Sequence, residues 1–432
     1  MFLNIEGDKK CEVYCAKTVD FTGMEIEVLN NSNLFDTPLS NGKGYILEHM
    51  KIMLYKENPT LFELLDFDND QIFNEPLLFA YFYYKGNKKV TLEQILYGHI
   101  EQSKRPDSFN AYVDGNGLIY VPEIGWLKTN LANCDVILAK QDANEFFILL
   151  AGNKISFEFE PISKIDNTPF ELINHPHPLL TPHFFDANNK LVDVEIEQIT
   201  QIQKTNLCKA FQLIKGHVPE FYRLLLQSVL KLVIFNDKSV RRNSFATVSV
   251  HGCAFFNAFQ PEYDEVFFVE DIAHQCGHVI FNNIVHNNKE VFRVSSETVV
   301  KETGLGGFII NLLEKRTLFV AFHALYTYYS IATCLEACLL KSDLTPRQKH
   351  EVLGRFAFCF RKYENDIQLL GKVDKNGNSL YFSDLGIQLY RPMEETYKRI
   401  KKQWQEKFKK LNLLNQPYNF SNKIFFKSNP IA

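Results

Sequence analysis

His274 and His278 stand one helical turn apart in Glu270-Asp271-Ile272-Ala273-His274-Gln275-Cys276-Gly277-His278. On a helix, positions i and i+4 share a face, so two imidazoles there can chelate one metal ion. The residue after the first histidine is Gln275. A glutamine amide takes up no proton near neutral pH, so it cannot act as the base that activates a metal-bound water. The pattern suits metal binding and does not suit metal-assisted hydrolysis. Spacing alone is a weak signal, because two helical histidines form a satisfied polar patch about as often as a metal site.

A second stretch, Arg316 to Tyr326, raises the weight of the first. His323 lies inside an apolar run with helical spacing. Burying an unpaired polar ring costs about 1–3 kcal/mol, so His323 needs a partner. Arg316 is two helical turns earlier and is expected on the same face. A third nitrogen ligand and a cation suited to bidentate carboxylate binding would then project together. The plainer alternatives are a hydrogen-bonded core histidine and a helix-end charge. Glu270 and Asp271 are expected either to hold an imidazole N–H or to serve as acids near a helix N-terminus. Glu297 stays open as a carboxylate ligand in place of His323.

These side chains need helices to carry them. The pattern after Val192 predicts helices over Ile196 to Leu213, Pro219 to Phe235, Glu265 to Val285 and Leu313 to Lys341. Thr345 as N-cap with Pro346 at the first helical position starts another, running to about Leu370, and a last helix starts near Ser383. Asn243 to Gln260 reads as a strand or an extended crossing. Earlier, Ile46 to Tyr55 and Leu92 to Gln102 read as helical. Leu118 to Val121, Glu145 to Leu150 and Ile155 to Glu160 read as strands beside turn signals. The Pro-punctuated run from His175 to His183 predicts a surface loop and no metal set. Gly304 to Gly307 lacks the strand–helix context of a nucleotide motif. The expected fold class is α+β: a mixed α/β N-terminal half, 1–190, then a mainly helical, metal-binding half, 191–432.

Composition bounds the setting. Hydrophobic residues make up 46% of the 432 and charged residues 23%, which excludes wholesale disorder. A net charge of −4 offers no electrostatic footprint for nucleic acid or an anionic membrane. No basic start followed by an apolar run is present, and the longest apolar stretches are broken by charge or histidine, so no membrane span is expected. Nine scattered cysteines, with no CxxC pair, read as reduced thiols in a cytoplasmic protein. Oligomeric state is left open.

The acidic turn before HxxxH, a variable stretch, and then Arg316-x-Leu318-x-x-x-x-His323 with aromatics just after together resemble a known family. The chain looks like the bacterial HExxH-motif proteins associated with ribosomally made peptides, the 2-oxoglutarate-dependent HExxH-type peptide β-hydroxylases. The resemblance covers roughly Ile196 to Leu340. It implies an Fe(II)/2-oxoglutarate-dependent oxygenase acting on a peptide side chain, with His274, His278 and His323 as metal ligands. Arg316 would match the Arg at the head of the second motif, and chemical logic assigns it to the 2-oxoglutarate carboxylate. The strand-like segments of the 1–190 region, which lies outside the resemblance, are expected to bind the peptide by strand addition to a sheet edge. Gln275, at the catalytic position, departs from the family's Glu and puts that residue's acid, base or supporting role in doubt. The rival expectations are a catalytically inactive metal- or peptide-binding homologue and, less favoured, a zinc metallopeptidase of the HExxH type.

Overall fold

The computed structural model describes residues 34–84, 86, 89–142, 145–186, 188–197, 199–239, 241–300 and 316–431. The Gly304 to Gly307 run lies outside the described residues. Helices take up about 50% of the described residues and strands 16%, a mixed α+β fold.

The chain opens with α1 (Asp36–Glu57), α2 (Pro59–Phe62), α3 (Asp70–Phe73), α4 (Pro76–Tyr83) and α5 (Leu92–Leu96). Strands β1 (Ser108–Val113), β2 (Leu118–Val121), β3 (Gly125–Lys128), β4 (Cys134–Asp142), β5 (Glu145–Leu150), β6 (Asn153–Ile155), β7 (Glu158–Pro161) and β8 (Glu171–Leu172) follow. Seven of them form two antiparallel sheets, ordered β1-β4-β5-β6 and β2-β3-β7, with a small apolar core between them. Asp114 holds the turn between β1 and β2 by accepting hydrogen bonds from the Asn116 and Leu118 amides.

The second half begins with α6 (Gln201–His217) and α7 (Pro219–Ser228), then β9 (Lys231–Phe235), β10 (Phe245–Ala246) and β11 (Cys253–Asn257). Helices α8 (Glu265–Ile284), α9 (Asn288–Val291), α10 (Leu318–Lys341), α11 (Pro346–Leu370), α12 (Asp384–Phe408) and α13 (Asn422–Ser428) complete it. The helix expected over Pro219 to Phe235 thus ends at Ser228 and gives way to β9. Both faces of β9 and β11 are covered. Leu232, Ile234, Ala254 and Phe256 face the helical core, while Val233, Phe235, Cys253 and Phe255 face the core under the N-terminal helices. A strand buried on both sides shows no alternation, so its period does not separate it from a helix.

The third sheet runs β10-β11-β9-β8, with β9 parallel to both β8 and β11 and β10 antiparallel at the edge. Because β8 belongs to the first 190 residues, the sheet crosses the expected domain boundary. Helix α1 crosses it too: a Cβ on Gly42 would lie 1.6 Å from the Asn283 carbonyl oxygen of α8. Only glycine allows that approach.

The run from His175 to His183 is not a surface loop. His177 and His183 are buried. The His177 ring lies edge-on to Tyr120 at 5.7 Å, and His175 does the same to Trp126 at 4.9 Å. Among the described residues helix α10 alone is long and apolar enough to cross a membrane, and most of its apolar stretch is buried inside the protein. The described cysteines are all free thiols.

Candidate functional site

Helix α8 carries the HxxxH pair and is held at both flanks. Asp264 caps its first turn by accepting from the Val266 amide at 2.9 Å. Gln348, in the capping box of α11, donates to Asp264 at 3.0 Å and to Glu265 at 2.9 Å. The start of α8 and the start of α11 are therefore one unit. On the sheet side, Ser244 beside β10 donates to Asp271 Oδ2 at 2.5 Å and accepts from the Asn257 amide at 2.8 Å. That clamp fixes the edge strand over the helix.

His323 projects from α10 toward the same place. Its ring stacks on Phe281 with centroids 4.6 Å apart and planes 14° from parallel. His278 Nδ1 and His323 Nε2 approach to 2.7 Å, and the His274 and His278 rings are 4.9 Å apart. All three line one cavity of about 660 Å³, with Glu270, Asp271 and Gln275. Edge-strand residues Ser244, Phe245 and Ala246 form one wall, α11 another, and the loop Pro417 to Ser421 a third. Every described lining residue belongs to the second half of the chain. The strand edge at the cavity is therefore β10 and not one from residues 1–190.

The donor set fits a metal ion in its chemistry. Burial pushes the His278 imidazole down to about 4 and those of His274 and His323 well below the ordinary range. Neutral rings keep lone pairs free for coordination. The spacing, however, is that of a hydrogen-bonded trio. Two nitrogens on one tetrahedral ion are about 3.3 Å apart, given metal–nitrogen bonds near 2.0–2.1 Å. The 2.7 Å between His278 and His323 is a proton shared between rings. Accordingly, among the described residues no group of three His, Cys, Asp or Glu side chains is already spaced as a metal cage.

Gln275 turns its amide to Asp271, with Nε2 donating to Oδ1 at 3.1 Å. Burial raises the Asp271 carboxyl to about 7, against the pull of the Ser244 and Gln275 hydrogen bonds. Glu270 accepts from Arg355 at 2.6 Å. Arg355 also donates to Glu351 and Asn422, each at 2.8 Å.

Arg316 is placed differently from expectation. It precedes α10, whose N-cap is Thr317, and its carbonyl accepts from the Val300 amide in a short extended bridge. The same-face argument with His323 therefore does not apply. Its guanidinium forms a bidentate pair with Asp366 of α11, at 2.8 and 2.9 Å, and it does not line the cavity. Glu297 is exposed and also lies off the cavity wall. His251 is a structural residue, its Nε2 donating to Asn283 Oδ1 at 2.9 Å.

Sequence reasoning missed Lys362, Arg355 and Ser244. The first two lie on an α11 stripe, Arg355, Phe358, Cys359 and Lys362, spaced at i, i+3, i+4 and i+7. That spacing was available as a signal, but nothing local distinguishes it from ordinary helix packing. No protein-family model and no curated protein matches the chain.

Proposed function

We propose that the protein is an Fe(II)- and 2-oxoglutarate-dependent oxygenase that hydroxylates a side chain of a ribosomally made peptide. The observation carrying this reading is that His274, His278 and His323 converge on one cavity with no carboxylate at position 275. Hydrolysis at such an ion needs a base beside its water, whereas an oxygenase does not. When bound, the ion and co-substrate supply oxidising power from O₂.

The chain's own residues hold and shield. His274 and His278 present nitrogens from one helix face, and Phe281 sets the plane of His323. Phe245, Phe267, Tyr328, Phe358 and Phe420 give the cavity apolar walls, which strengthens polar contacts beside them. The outer edge of β10 lets an extended peptide add as a further strand, leaving alternate side chains to enter the cavity. Unpaired thiols fit a cytoplasmic setting.

Histidine nitrogens suit Fe, Zn, Ni and Cu alike. The test is metal analysis of anaerobically purified protein, followed by Fe(II), 2-oxoglutarate and O₂. Conversion of 2-oxoglutarate to succinate supports the reading. Stoichiometric metal without turnover on candidate peptides would instead mark a binding homologue, and cleavage of a peptide bond with zinc bound would mark a hydrolase. Asp271 favours the hydrolase as the second reading, since a cavity carboxyl raised to about 7 is a proton acceptor. Both its oxygens are already engaged by Ser244 and Gln275, which ranks it lower.

A further inference from the structure

The cavity holds two cationic side chains, Arg355 and Lys362. Arg355 is neutralised: Glu270 and Glu351 both accept from it. Arg316, the cation the sequence suggested for a carboxylate, is paired with Asp366 outside the cavity lining. Lys362 differs from both. Its Nζ donates to the Tyr418 carbonyl oxygen at 2.7 Å, and it forms no ion pair with a described carboxylate. Aromatic rings surround it, with centroids at 4.3 Å for Tyr418, 4.6 Å for Phe358 and 5.9 Å for Tyr328.

An ammonium group has three donors, and a single neutral carbonyl leaves its charge unmatched. Burial lowers the Lys362 pKa and the Glu270 and Asp366 charges nearby only partly offset it, the sign of an ammonium that lacks a full counter-charge. An anion beside Lys362 would supply that counter-charge.

We infer that Lys362 is the residue that binds the far carboxylate of a dicarboxylic 2-oxo acid, with the 2-oxo acid end directed at the His274–His278–His323 trio. This rests on the oxygenase reading and replaces Arg316 in it. Arg316 and Asp366 instead sit behind Lys362, one helical turn along α11. The loop Pro417 to Ser421 positions the ammonium through the Tyr418 carbonyl.

The test is equilibrium binding to the full chain loaded with Mn(II), using labelled 2-oxoglutarate and 2-oxopentanoate, which has a methyl in place of the far carboxylate. Lys362→Met should weaken 2-oxoglutarate binding about 10- to 100-fold, the effect of one charge-assisted contact in a shielded site. The same variant should leave 2-oxopentanoate and Mn(II) binding unchanged, and Lys362→Arg should restore most of the loss. Unaltered 2-oxoglutarate binding in Lys362→Met, or an equal loss for both acids, overturns the assignment while leaving the oxygenase reading in place. Wild-type protein that takes up Mn(II) and no 2-oxoglutarate defeats the oxygenase reading, and this assignment with it.

Discussion

Arg316 and Asp366 face each other as a fork on a fork, with Nη1 to Oδ1 at 2.8 Å and Nη2 to Oδ2 at 2.9 Å. The Asp366 side chain is 1% exposed, so its charge depends on this partner. Burial raises the Asp366 carboxyl and Arg316 pulls it back. The pair joins the chain entering α10 to the C-terminal end of α11, two of the helices that frame the cavity. Arg316→Ala should therefore cost stability, about 3–5 kcal/mol for a buried charge left unpaired. Urea unfolding would read this as a lower midpoint with an unchanged slope. A variant of wild-type stability with weakened 2-oxo acid binding would return Arg316 to the site and contradict the geometry.

His323 is the only imidazole of the trio not on α8, so it tests whether the two helices share an ion. His323→Ala removes a nitrogen and the 2.7 Å contact with His278. Loss of an outer partner of a ligand typically costs about 10- to 100-fold in metal affinity, and loss of a ligand itself should exceed that. Titration with Zn(II) or Mn(II) measures it. Equal affinity in the variant would confine metal binding to α8 or abolish the site as drawn.

Much of the helical frame was legible because its signals are local. Thr345, Pro346 and Gln348 mark the start of α11 within four residues, and the structure forms the full capping box there. Ser383 likewise caps α12. The HxxxH spacing was legible for the same reason. What escaped depends on distant partners. Asp366, which takes Arg316, lies 50 residues beyond it. Thr317 does carry a local N-cap signal, accepting from the Val320 amide, and it argues against a helix that includes Arg316. His177 owes its burial to Tyr120 and Trp126, which come from β2 and β3. The role of Lys362 depends on Tyr418, 56 residues away. No window of sequence contains those pairs.

Gln275→Glu would restore the motif carboxylate, and the structure gives it an unfavourable neighbour. Gln275 now donates to Asp271 at 3.1 Å. A carboxylate there removes the donor and sets two acids together in a buried place. The folded state would hold a shared proton that the unfolded chain releases at lower pH. A group raised in the folded state contributes stability below its unfolded pKa and loses it as pH rises through the folded value. Asp271, raised to about 7, already sits in that window. The variant should lose about 2 kcal/mol at about pH 8, and clearly less at about pH 5.5. Unfolding at the two pH values checks this. A loss independent of pH would mean the two side chains do not share a proton.

The buried histidines outside the cavity predict the acid limb of stability. Burial holds His177 down at about 3, and His183 and His251 at about 4. An unfolded histidine titrates near 6.5, so below that value the unfolded chain takes up protons that the folded chain refuses. Stability falls as pH falls, by up to about 1.4 kcal/mol per pH unit for each such histidine. Asp271 opposes one of them, because it holds its proton when folded. Glu75 and Glu160, depressed to about 2, add a further loss only once pH drops below the ordinary glutamate range. The window from about pH 6.5 to 4.5 therefore separates the histidines from the glutamates, with Asp271 opposing them throughout. His177→Phe keeps a ring against Tyr120 and Trp126, and Nε2 of His177 is buried with no hydrogen-bond partner to lose. It does give up the Leu179 amide contact to Nδ1 at 3.2 Å. At about pH 7 the substitution should change stability by about 1 kcal/mol. Across the window it should flatten the slope by about 1.4 kcal/mol per pH unit, read from urea midpoints at several pH values. A slope equal to wild type would show that His177 protonates in the folded state and that its cage of rings is open to water.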